Sequence, residues 1–288
     1  MGWTSHSDLL NELTNNAKRN RLLLQKNTSN AAASAAGRSH ELFTATGTPT
    51  AGAFSGTAGV FTQANRSTVG ALDIGANVTP DTRHLLTGYG ASPTATVVPA
   101  TLEIWDLLGW YPACVVTGAA TTLNNAAGLP TRGTGKKDIK ALCVAQTAFG
   151  AAQPAITLTY TDQDGNTGNT ASTVTAPANS IPISTALNAS ASGLPIVPLA
   201  GADTGIQAVT AYSLASGTTG TMAILLARYI ETIPLRATNE GTYLDFATAL
   251  PNFPQIDDDA CLFGMLMGVG GAMIAGATVQ ARLGIGWG

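Results

Sequence analysis

The chain has 288 residues, of which only 11% are charged, with 14 Lys plus Arg against 17 Asp plus Glu and a net charge of −3. Ordinary soluble proteins carry roughly 25% charged residues, because charge keeps isolated molecules apart. So sparse an ionic surface argues against a free-standing soluble enzyme and points to a subunit shielded by neighbours. No Lys or Arg occurs between Ala141 and Ala227, so the body lacks the cationic stripe that binding along a nucleic-acid backbone requires.

The first thirty residues read as an amphipathic helix over Ser7–Lys26. Ser7 is placed to cap it, Asp8 and Glu12 stand early, and Lys18, Arg19, Arg21 and Lys26 stand late, in the order that suits the helix dipole. Leu9, Leu13, Ala17 and Leu24 share one face, which must dock on the core or on a neighbour. The basic cluster is read as the helix end in preference to a nucleic-acid contact. Met1 to Asn20 is polar, and the expectation is no signal peptide. Residues 31–93 are rich in Ala, Thr, Gly and Ser, with Phe43, Phe54 and Phe61 as isolated anchors. Such a segment is either a flexible linker or an extended arm laid across adjacent subunits.

From residue 94 to 288 strand signals accumulate and predict a β-rich domain. Thr94–Val98, Thr101–Trp105 and Cys114–Thr117 are short β-prone runs, and Trp105, Trp110 and Tyr111 belong to the densest aromatic cluster. That cluster is either core or contact surface, with core favoured. Ile139–Thr147 alternates, and Ala155–Thr161 sets Ile156, Leu158 and Tyr160 against Thr157, Thr159 and Thr161, the pattern of a half-buried strand. An Asp-Gly turn follows. Thr170–Thr175, Ile181–Ser184, Leu194–Leu199, Ile206–Leu214 and Thr221–Ile230 read as further strands, after which Pro234, Pro251 and Pro254 punctuate an irregular passage. Ala260–Ala281 carries no charge and is long enough to span a bilayer. Its many glycines favour two strands joined by a tight turn at Val269–Ala272 over a membrane helix. Many short strands separated by turns predict a mainly β fold, sandwich- or barrel-like, with an N-terminal helix and extended arm.

Candidate chemistry is thin. His6, His40 and His84 lack companions at ligand spacing, and no GxSxG, phosphate-loop or HExxH motif occurs. Asp162-x-Asp164-x-Asn166 resembles the start of a calcium loop, but Thr167 and Thr173 stand where that loop needs Gly and Glu, so a turn is expected. Asp257-Asp258-Asp259 reads as a solvated loop, with a cation site as the alternative. Glu103 and Asp106 flank Trp105 in the style of sugar-cleaving carboxylate pairs. Cys114, Cys143 and Cys261 are odd in number and widely spaced, as suits buried free thiols in a chain assembled in a reducing cytoplasm. No metal, cofactor or catalytic residue is expected.

The run from Thr94 to Tyr111, the run Ile156–Gly165, the run Pro198–Ile206 and the Gly286-Trp287-Gly288 ending resemble the β-rich, Ala/Thr/Gly-rich structural proteins of tailed double-stranded DNA bacteriophages. The resemblance covers about a third of the chain and carries over no functional residue. It implies a virion protein that performs no chemistry, assembled in the host cytoplasm. The first expectation is a minor, decoration or cement subunit of the capsid. It would bind the major capsid protein or other virion subunits and itself, with no specific nucleic acid and no membrane. A tail, neck or baseplate subunit is the alternative, and a glycan-binding receptor protein the second. The contact residues expected on this reading are Leu9, Leu13, Leu24, Phe43, Phe54, Phe61, Trp105, Trp110 and Tyr111.

Overall fold

The computed structural model describes residues 3, 5–28, 36–118, 120–126, 128–133, 136–150, 155–171, 174–175, 185–186, 188–189, 195–215, 219–246, 253–271 and 276–288. One helix, α1 (His6–Thr14), precedes β1 (Arg19–Asn27), β2 (Ser39–Glu41), β3 (Thr46–Thr48), β4 (Thr62–Gln63), β5 (Arg83–Ala91) and β6 (Ala100–Val115). β7 (Thr121–Thr122), β8 (Ile139–Ala145), β9 (Ala155–Asp162), β10 (Asn169–Thr170), β11 (Val174–Thr175), β12 (Thr185–Ala186) and β13 (Asn188–Ala189) follow. The chain ends with β14 (Ile206–Leu214), β15 (Thr221–Leu235), β16 (Thr242–Asp245), β17 (Gln255–Ile256), β18 (Leu262–Met267) and β19 (Thr278–Trp287). The protein is mainly β, as the alternating runs predicted.

The expected long helix is the first correction. Ser5, not Ser7, caps α1, its hydroxyl accepting from the Asp8 amide at 3.1 Å, and the helix stops at Thr14. Asn15 and Asn16 are poor helix formers, and Ala17 turns the backbone into the left-handed region at φ 52°. Beyond that turn Leu22 and Leu24 point inward while Arg21, Leu23 and Gln25 point outward, which is a period of two. β1 pairs with β19 over nine residues, Arg19 opposite Gly286 through Asn27 opposite Thr278.

Strand pairing builds three antiparallel groups. The terminal sheet runs β16-β5-β19-β1-β3, with β17 also on β5. The distal sheet runs β13-β11-β9-β14-β7, with β10 on β9. Between them β15-β8-β12-β2-β18-β6 closes on itself, because β6 pairs with β15 along its whole length. This is a six-stranded ring without a free edge, and β4 adds to β6 beside β18.

Alternation on the ring strands divides the core. Leu142 and Val144 of β8, Leu225 of β15, Trp105 and Trp110 of β6, and Phe263 and Met265 of β18 fill the ring. Cys143, Ile224 and Leu108 face the distal sheet, against Ile156, Leu158, Tyr160 and Tyr212. Leu102, Ile104, Ile233 and Leu262 face the terminal sheet, against Leu22, Leu24, Leu85 and Leu283.

Two further expectations change. β15 does not stop near Ile230 but continues through Pro234, which pairs with Thr101, to Leu235. Residues 260–281 do contain two strands, yet β18 joins the ring and β19 the terminal sheet, so they do not form a hairpin. Val269 instead exchanges backbone bonds with Gly37 and Arg38, and the amides of Gly270 and Gly271 reach Val97 and Thr96. Among the described residues no helix is long and apolar enough to cross a membrane. Residues 36–93 supply β2 to β5, including one strand of the ring. The expected strand at Ile181–Ser184 lies outside the described residues.

Candidate functional site

Eight of the nine expected contact residues are buried by this chain itself, and Leu13 is half-buried. They form core, which corrects the expectation that they meet a neighbour. Phe43 stacks on Phe54 with ring centroids 5.2 Å apart inside the ring, and Phe61 lies 5.2 Å from Tyr111. The polar atoms of the aromatic cluster are answered internally, as buried Trp and Tyr require. Trp105 Nε1 donates to Glu103 at 2.9 Å and Trp110 Nε1 to the Ser55 carbonyl at 2.9 Å. Tyr111 donates to Asn125 at 2.6 Å and accepts from the Val209 amide at 3.0 Å, tying the ring to the distal sheet.

The densest polar constellation lies where the ring meets the terminal sheet, and sequence reasoning missed it. Asp106 of β6 is fully buried. Arg132 grips it with Nη2 at 2.9 Å and Nε at 3.3 Å, and the Cys261 amide donates at 2.9 Å. Two further guanidinium hydrogens of Arg132 reach the carbonyls of Ala64 at 2.6 Å and Leu107 at 2.8 Å. Arg228 of β15 stands 3.9 Å from Asp106 and 3.2 Å from Asp257. Burial pushes the Asp106 carboxyl above its ordinary range, while the charges of Arg132 and Arg228 pull it back.

The acidic run is ion-paired as well as partly solvated, with the Asp259 side chain still 58% exposed. Asp257 meets Arg228, Asp258 meets Arg83 at 3.3 Å, and Asp259 meets Arg66 at 3.9 Å. Asp258 also accepts from the Val78 amide at 3.2 Å and the Thr79 hydroxyl at 2.6 Å. These bonds and Arg83 outweigh burial and hold its carboxyl below the usual carboxylate range. Three consecutive aspartates thus clasp the ring, the terminal sheet and the 64–79 loops. No signal in the sequence could have paired them, because the partners lie 29 to 193 positions away.

The arrangement holds structure together and leaves little to do chemistry with. Asp106 and Glu103 are already engaged by Arg132 and Trp105, and Asp106 has no solvent access. Asp162 closes the β9 turn, accepting from the amides of Asp164 and Asn166 and from the Asn166 side chain, which holds its carboxyl low. His40 is buried on β2, where burial and Arg38 hold its imidazole down at about 4. His84 packs between Trp3 and Phe253. His6 has no described side chain. No group of three or more potential metal ligands is found among the described residues. The three cysteines are free and buried, and burial raises each thiol, Cys114 and Cys261 to about 12.

Fold and constellation together define an antiparallel β protein, a closed ring flanked by two sheets and clasped by an internal Arg–Asp network. Comparison with protein-family models, with curated proteins and with solved structures gives no match.

Proposed function

We propose that this chain is a structural subunit of a tailed-phage particle, a minor or decoration subunit that works by protein–protein contact and catalyses no reaction. The observation that carries the reading is the distribution of charge. Ions are scarce, and Asp106, Asp257, Asp258 and Asp259 are paired with arginines of this same chain. What remains outside includes well-exposed apolar side chains such as Leu10, Leu23, Val69, Val115, Tyr229 and Tyr243. Such a surface suits a molecule whose exterior is covered in its working state. The engagement of Glu103 and Asp106 by internal partners counts against a sugar-cleaving pair.

Mass spectrometry of purified particles, separated into heads and tails, tests the proposal. The chain is expected at stoichiometric level in the head fraction. Recovery in tails would move it to the tail alternative, and absence from washed particles would overturn the reading.

A further inference from the structure

The outer face of the terminal sheet carries several side chains that stand in solvent, among them Arg19, Arg21, Leu23, Tyr243 and Arg282. Register aligns them in rows across four strands. One row reads Leu23, Arg282, Tyr89 and Tyr243, and the next reads Arg21, Gly284, Thr87 and Asp245. Arg19 lies two residues before Arg21 and on the same side. Lys18, Arg66, Arg83, Arg132 and Arg228 each meet a carboxylate, whereas Arg19, Arg21 and Arg282 meet none among the described residues.

α1 crosses one end of this face. A Cβ placed on Gly286 would stand 2.6 Å from Leu13 and 2.8 Å from Leu86, so the helix rests directly on the sheet there. The register slips between Gly284 and Ile285, where β5 inserts Leu86, and such bulges re-aim the side chains around them. At the foot of the helix lies a cleft of about 480 Å³, with Leu13 on one wall and Arg19, Arg21, Thr87 and Gly284 on the others.

We propose that this cleft docks an acidic loop or extended segment of a neighbouring protein subunit, with Arg19 and Arg21 taking its carboxylates. The proposal deepens the assembly reading above and rests on it. Two guanidinium forks two residues apart on one strand are about 7 Å from each other, the spacing of alternate side chains on an extended partner. The helix ridge keeps a second flat sheet from lying flush, which selects a narrow occupant. The flanking residues are the exposed Leu23 and Tyr243 and the half-buried Tyr89, and the two rows hold no Lys. Arg and Tyr without Lys is the composition of a protein–protein contact. A nucleic-acid strand fits less well, because Arg19 and Arg21 make a local pair and not the cationic stripe that tracking a phosphate backbone requires.

The test is a titration of the isotope-labelled full chain with a hexaglutamate peptide, followed by amide resonances in NMR. Decathymidylate and sodium chloride of matched ionic strength serve as comparisons. Saturable shifts at Gly284 and Thr87 are expected with hexaglutamate. R19Q/R21Q should weaken that binding about tenfold or more, the loss of charge-assisted bonds, with melting unchanged because both side chains are exposed. No saturable shift, an unaffected double variant, or tighter binding of decathymidylate through the same residues would each overturn the proposal. Recovery of the chain in phage heads alongside a failed titration would discard the cleft and leave the virion reading standing. Absence from particles would discard that reading whatever the titration shows.

Discussion

Asp106 illustrates how a single buried side chain can govern three pieces of chain. Its carboxylate answers the Arg132 guanidinium and the Cys261 amide, and it lies near Arg228. Asp106→Ala leaves the Arg132 charge buried without its counter-ion, and breaking such a pair from one side costs about 3–5 kcal/mol. Urea denaturation is expected to show a loss of that size, and a loss below about 1 kcal/mol would mean the network is not the clasp described. His40 gives the corresponding pH dependence. Its imidazole is held at about 4 in the fold, against an ordinary value of about 6.5, so between those values the unfolded chain binds more protons than the native one. Stability is therefore full above pH about 6.5, falls as the pH drops toward 4, and levels off below it; the total from this group is on the order of 3 kcal/mol. His40→Gln should flatten that part of the pH–stability curve, measured by denaturant midpoints across the range.

The strands differ in how openly their residues announce them. β9 was legible because Ile156, Leu158 and Tyr160 alternate with threonines, and the fold buries the former while half-covering the latter. β1 was not, because Leu22-Leu23-Leu24 satisfies a helical period as readily as a strand period. Its pairing with β19, some 260 positions away, decides between them. The docking of β4 on the ring depends on a close approach that a single added carbon would break. A Cβ on Gly109 would come within 2.3 Å of the Phe61 ring and 2.5 Å of the Thr62 carbonyl, so β4 can lie on β6 only where that carbon is missing. Gly109→Ala should cost about 1–3 kcal/mol, the range for overpacking a tight core. A thermal melt measures it, and an unchanged midpoint would show that β4 can move aside freely.

At the level of the whole molecule, the two ends of the chain meet in one sheet. β19 lies between β1 and β5, and Val279, Ala281, Leu283 and Ile285 project from it into the core shared with the ring. Deleting residues 278–288 should abolish cooperative folding, seen as loss of a sigmoidal circular-dichroism melt, whereas a retained melt would mean the ring folds alone. Removing residues 1–60 is similarly severe, since it takes away β1, β2, β3, Phe43 and Phe54. That truncation tests folding, and the exposed arginines of the terminal sheet offer the cleaner test of assembly.

Composition and periodicity by themselves determined that the chain is mainly β, that the cysteines are free and buried, and that the 162–166 segment is a turn. Each of these depends on neighbours in sequence or on the apolar content of a short window. Tertiary structure alone decided that Arg19–Asn27 is a strand, that β18 and β19 part company, and that the acidic run is spent on Arg66, Arg83 and Arg228. Those outcomes depend on which distant strands share hydrogen bonds and which distant charges share a buried space, and no local pattern of side chains encodes either choice.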